Sequence, residues 1–283
     1  MSKFFEALER AEREGAFGTP PSAADPPAPP VFETLAPALE LAVDRSHRIE
    51  GHLVSLLNPA SFEAEQYRML RHMVETMHQE AQLQVVAVTS PGAGDGKTTT
   101  AINLAGALAQ AGGARVLLAD IDLRRPAVTR QLGLAGSRRS LVDALLEPRL
   151  TLEDTVQHVP GFNLSVLPAG GSAVAPYELL KSPRLEALLA EARRRYDYIV
   201  LDTPPFVPVP DCRLITKCVD GFLIVVAAHR TPGRALRETL DLMDGATVVG
   251  LVFNGGDARR PGYYGGYAGS PGGAWWRRVP SEP

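Results

Sequence analysis

A doubly wound α/β fold with a mostly parallel sheet is the architecture this sequence predicts, and three observations predict it. Apolar runs of strand length alternate with helix-length segments, the first run empties into a glycine-rich loop that opens a helix, and two later runs end in aspartate. Strands separated by helices pair in parallel through right-handed crossovers, and ligands of such sheets gather at the carboxyl ends of the strands.

The elements follow in chain order. Residues 1–16 carry Phe4, Leu8 and Ala11 at helical spacing among alternating charges, which predicts a short helix. Residues 17–36 are rich in proline and alanine with little to bury and read as a disordered linker. The body runs over 37–254. Its strand-like runs are 84–89, 115–121, 163–167, 198–202, 221–227 and 247–253. Residues 255–283 turn to Gly, Tyr, Pro and Arg, cannot make a core, and read as a flexible tail bearing Tyr263, Tyr264 and Tyr267.

Composition bounds the function. A net charge of −3 gives no electrostatic footprint for nucleic acid, so no nucleic-acid partner is expected. No apolar run approaches the roughly 18 residues of a membrane span, and the charged first residues are not built like a signal peptide, so a cytoplasmic protein is expected. Cys212 and Cys218 are too few and wrongly spaced for a zinc site and read as packing or surface thiols.

The stretch Thr89-Ser90-Pro91-Gly92-Ala93-Gly94-Asp95-Gly96-Lys97-Thr98-Thr99 is a phosphate cradle. Glycines let successive backbone N–H groups face an anion at a helix N-terminus, Lys97 adds a point charge, and the Thr98 hydroxyl can ligate magnesium. The pattern G-x-x-x-x-G-K-[ST] is broken at its first position, where Pro91 stands. Nucleotide contacts are expected from Gly92, Gly94, Asp95, Gly96, Lys97, Thr98 and Thr99.

Asp120 and Asp122 end the second run, two residues apart and so expected on one side of the strand. Two acids beside a phosphate loop repel unless a divalent cation sits between them, which implies Mg2+ and proton abstraction. Asp202 closes 198–202 ahead of Thr203-Pro204-Pro205, the pattern of a Walker B carboxylate. Together these make a P-loop nucleoside-triphosphatase site using ATP and Mg2+, with Thr98, Asp122 and Asp202 on the metal and Asp120 as candidate base. The acceptor of the γ-phosphoryl is open at this point between water and a hydroxyl. Asp211, in the next loop, is expected as a helix N-cap. Asn254 ends the last run, where its amide could match the edge of adenine or simply begin an Asn-Gly turn. Glu65, Arg68 and Arg71 share one face of a helix whose apolar side carries Tyr67, Leu70, Val74 and Met77.

On these motifs the chain resembles the bacterial tyrosine kinases of capsule and exopolysaccharide synthesis, the CpsD/CapB type, over about residues 60–267. The matches are the loop through Lys97-Thr98 as Walker A, 120–126 as Walker A-prime, 201–205 as Walker B, Glu65-x-x-Arg68-x-x-Arg71, Leu167-Pro168-Ala169-Gly170, and the tyrosine tail. The resemblance implies a P-loop domain of the MinD/ParA-like class and a non-specific protein-tyrosine kinase that autophosphorylates tail tyrosines. It also implies a homo-oligomer, such as a ring, through Glu65, Arg68 and Arg71. A membrane chain-length-determinant protein is its implied activator, holding it peripherally at the inner face of the membrane. The sequence departs from the family where Gly265 and Gly266 interrupt a short tyrosine cluster and where Ala175-Pro176 replaces Asn-Pro. A partitioning-type ATPase and a catalytically weak regulatory subunit of an export complex are the alternatives. Gly92 stands where the partitioning proteins look to carry a second lysine, which favours the kinase.

Overall fold

The computed structural model describes residues 49–134, 139–171, 173–243 and 245–256. The chain divides into two units, 1–38 and 39–283, and every described residue lies in the second. The expected N-terminal helix, the linker and the tail with Tyr263, Tyr264 and Tyr267 lie outside the described residues.

Among the described residues, seven strands form one sheet in the order β3-β4-β2-β5-β1-β6-β7. They are β1 (Val85–Thr89), β2 (Val116–Asp120), β3 (Gln157–His158), β4 (Leu164–Leu167), β5 (Tyr198–Asp202), β6 (Gly221–Ala227) and β7 (Val248–Asn254). All pairings are parallel except β3 with β4. The six expected runs reappear with ends moved by at most one residue, and β3 is an addition: two residues carry no periodicity to read.

The sheet is covered on both faces. One face packs Val85, Ala87, Leu117, Ala119, Ile199 and Leu201 against α5 (Leu141–Leu146), α6 (Pro176–Lys181), α7 (Pro183–Arg195) and α8 (Asp211–Ile215). The other packs Val86, Val88, Val116, Leu118 and Val200 against α1 (Val54–Leu57), α2 (Phe62–Ala81) and α3 (Lys97–Ala109). Burial on both faces is why the central strands read as continuous Val, Ile and Leu rather than alternating with polar residues. Two further α-helices, α4 (Val128–Gln131) and α9 (Gly233–Leu242), and a short 3-10 turn over Thr216–Cys218 complete the described elements.

Helix α3 is apolar nearly all round and buries Ile102, Leu104 and Leu108 completely. Each such side chain stabilises the fold by about 1.5–3 kcal/mol, which fixes α3, and therefore Lys97 at its first turn, against the sheet. Helix α2 starts at Ser61, whose side chain accepts from Ala64 N, and leans on α3 with Val74 buried. Its charged face is divided. Arg68 pairs with Glu65 and donates to Pro59 O, whereas Arg71 bonds Glu75 and reaches Ala107 O at the end of α3, 3.2 Å away.

Candidate active site

Strand β1 ends at Thr89 and the chain turns through the glycine loop into α3. Gly94 and Gly96 hold φ of +82° and +98°, in the left-handed region that favours glycine. At Gly96 a second constraint acts, because an added Cβ would lie 1.9 Å from Asn254 Nδ2. That amide, at the end of β7, donates to Asp95 O at 3.0 Å. Asn254 therefore stitches the last strand to the loop, a use of its N–H that neither sequence reading of this residue contained.

The loop is also held by side chains. Ser90 Oγ donates to Gly92 O at 2.6 Å, and Gly92 N donates to Asp95 Oδ2 at 3.0 Å. Gly92 thus spends its N–H on the buried Asp95 rather than aiming it outward, so the expected row of free donors starts later, beyond Gly92. Thr231 Oγ1 donates to Asp95 Oδ1 at 2.9 Å, and Arg230 donates to Gly94 O. Sequence reasoning missed Arg230 and Thr231. The available signal was their position just past the carboxyl end of β6, the edge where ligands collect.

Beside the loop, the parallel register sets Asp120 opposite Asp202. Asp120, Asp122 and Asp202 are buried, with exposures of 0%, 3% and 0%. Lys97 Nζ lies 3.0 Å from Asp122 Oδ2, 4.0 Å from Asp202 Oδ1 and 3.5 Å from Thr98 Oγ1. Burial alone would lower the Lys97 ammonium, yet the charges of Asp202 and Asp122 carry it above its ordinary value.

The carboxylates are unequal. Asp120 Oδ1 accepts from Asp122 N, and Oδ2 accepts from Ala127 N and Val128 N. Burial and the neighbouring Asp202 charge still push it well above the ordinary carboxylate range. Asp202 has no hydrogen-bond partner at either oxygen, and burial raises it too, against the pull of Lys97 and Thr98. Asp122 receives Arg125 N at 3.0 Å as well as Lys97. Three buried carboxylates thus share one buried ammonium, an excess of negative charge that suits a cation.

Two neighbours complete the cleft. Asp211 is the first residue of α8, not its cap: Pro210 holds the cap position, and the buried Asp211 carboxylate accepts from Arg124 Nε at 2.7 Å and Nη2 at 2.9 Å. Cys212, behind it, donates to Pro204 O at 3.0 Å, and burial pushes its thiol up to about 12, so it is inert packing as expected.

Among the described residues no group of three or more His, Cys, Asp and Glu side chains is placed to hold a metal ion. Magnesium does not need one, since it is commonly held by one or two carboxylates together with substrate phosphates. The two orphaned oxygens of Asp202, next to the Thr98 hydroxyl, fit that demand.

Residues 83–238, more than half of the chain, match the AAA domain family. Tyrosine-protein kinase YwqD of Bacillus subtilis (strain 168) is 32% identical over 231 residues, covering 81% of this chain and 96% of that protein. Succinoglycan biosynthesis transport protein ExoP of Rhizobium meliloti (strain 1021) is 32% identical over 217 residues, 75% of this chain but 27% of ExoP. Among solved structures, the kinase domain of Escherichia coli tyrosine kinase ETK superposes with a TM-score of 0.69 at 25% identity, over 80% of this chain and 90% of that one.

Proposed function

The chain belongs to the bacterial tyrosine-protein kinases, and from that premise we propose an autokinase that moves the γ-phosphoryl group of ATP onto tyrosines of its own kind. The observation that carries this reading is the cluster at the strand ends. A glycine loop opens α3, Lys97 stands 3.0 Å from Asp122 and 4.0 Å from Asp202, and Asp202 is fully buried with neither oxygen hydrogen-bonded.

Lys97 binds and neutralises the phosphates, and the N–H groups past Gly92 orient them at the start of α3. Thr98, Asp122 and Asp202 are the residues that would hold magnesium, which when bound supplies neutralisation of charge on the β- and γ-phosphate oxygens. In the transfer, a tyrosine oxygen bonds to the γ-phosphorus while the bond to the bridging oxygen breaks, and ADP leaves with that electron pair. The phenolic proton passes to a carboxylate. Asp120 is the candidate because its proton affinity is raised and Oδ1, with one N–H donor, keeps a lone pair.

The acceptors are Tyr263, Tyr264 and Tyr267 of a neighbouring copy. Glu65 and Arg68 face outward on α2 for that contact, while Arg71 is partly engaged by Ala107 O. ExoP is named for succinoglycan biosynthesis and transport, which supports a role in regulating polysaccharide polymerisation and export. No helix among the described residues is long and apolar enough to cross a membrane, and a membrane chain-length-determinant protein is the proposed activator at the inner face.

A mixing experiment tests this. Lys97→Met protein with intact tyrosines, incubated alone with ATP and magnesium, is expected to lose phosphotyrosine by about 10²–10³ in rate. Mixed with active protein in which Tyr263, Tyr264 and Tyr267 are phenylalanine, its tail is expected to be labelled. Full labelling of the Lys97→Met protein alone overturns the site, and no transfer in the mixture overturns the exchange between copies.

A further inference from the structure

Asp95 occupies the crest of the glycine loop between two residues in left-handed conformation, Gly94 and Gly96. Its exposure is 4%, and it is held by three hydrogen bonds and by the Arg230 guanidinium, 4.0 Å from Oδ1. Oδ2 accepts from Gly92 N at 3.0 Å, Oδ1 accepts from Thr231 Oγ1 at 2.9 Å, and its carbonyl accepts from Asn254 Nδ2 at 3.0 Å. The Thr231 hydroxyl is itself placed, since it accepts from Ala227 N at 2.9 Å where β6 ends. With that lone pair used, its single proton is committed to Asp95.

The chain Ala227 N–H, Thr231 hydroxyl, Asp95 carboxylate, Gly92 N–H runs from the sheet to the loop without a break. A loop flanked by glycines has many accessible backbone states, and its N–H groups point at a phosphate in only a few. We propose that Thr231 is a positioning residue for nucleotide binding: acting through Asp95, it selects the loop conformation in which the N–H groups from Gly94 to Thr98 converge. The sheet, not the loop's own sequence, then sets the phosphate cradle. This inference rests on the reading of the loop as the nucleotide site.

A double-mutant cycle on the full-length protein tests it, with the dissociation constant of a fluorescent ATP analogue as the readout. The nucleotide-free melting temperature and the KM and kcat for ATP are measured alongside. Thr231→Val is expected to weaken binding about tenfold and to raise KM more than it lowers kcat, and Thr231→Ser, which keeps the hydroxyl, to stay within about threefold of the parent. Asp95→Ala, which leaves both the Gly92 N–H and the Thr231 hydroxyl without their partner, is expected to weaken binding at least as much. The double variant is then expected to be no worse than the poorer single one, because both break the same chain. Should Thr231→Val fold poorly, Thr231→Ala removes the same hydroxyl with less disturbance. Unchanged affinity in the Val and Ala variants, failure of Ser to restore it, or additive losses in the cycle would each overturn the positioning role. A parent protein that binds no analogue would instead sink the nucleotide-site reading itself.

Discussion

Two aspartates at opposite ends of the sheet show what distinguishes a working edge from a structural one. Asp220, where the chain enters β6, accepts from Gln84 N, Val85 N and both arms of Arg193, at 2.6–2.9 Å. Burial alone would raise it, but those donors hold it below the ordinary carboxylate value. Asp202, where β5 leaves the sheet, is more deeply buried, accepts no hydrogen bond, and is pushed upward. At one end the carboxylate is fully matched. At the other, charge is stored against the fold's interest, which is the pattern expected of the proposed site. A pocket of about 420 Å³ also lies at the matched end, lined by Arg115, Glu153, Arg194 and Arg195. Arg115 and Arg195 there are already paired with Asp197 and Glu153.

The largest effect on stability is expected from Asp220→Ala, which strands two N–H groups and a guanidinium. A loss of about 3 kcal/mol, or roughly 6–12 °C in melting temperature, follows. An unchanged melt would show that the matched end is decorative. Asp202→Asn is expected to do the reverse, abolishing transfer while raising nucleotide-free stability by about 1 kcal/mol, since it removes a buried charge without removing a used acceptor.

That gain has a pH signature. A carboxylate with raised folded pKa stabilises below its unfolded value, about pH 4, and the contribution is lost as pH climbs through the folded value. Without magnesium, the parent is therefore expected to lose melting temperature from pH 5 towards neutrality and Asp202→Asn to lose less; parallel curves would refute the assignment. Asp220, being depressed, runs oppositely and loses its contribution only as pH falls into the acid range. The smallest effect is expected from Arg115→Ala. Its pair with Asp197 is exposed, and a calorimetric scan should not resolve the change.

The sheet was legible because parallel strands covered on both faces must be apolar throughout, and the strand-end aspartates because a run such as 198–202 announces where it stops. Their neighbours were hidden for physical reasons. Asp95 and Thr231 are 136 residues apart, and nothing local to either predicts the meeting. Asp211 lies at a helix start, where a cap and an ion pair look alike in sequence; the fold decided for Arg124. Arg71 likewise looks solvated from its helical face, but the end of α3 comes within reach.

The bond from Asn254 to the loop has a consequence for the tail's reactivity. Tyr263 is nine residues beyond a point fixed at the nucleotide loop, and nine residues span at most about 30 Å. An acceptor confined to such a sphere has an effective concentration on the order of millimolar at its own site, whatever the protein concentration. The proposed exchange between copies requires docking that presents a neighbour's tyrosine at a higher effective concentration than this covalent reach allows. The stitch at Asn254 therefore sets a threshold that assembly must exceed before phosphate moves from one chain to the next.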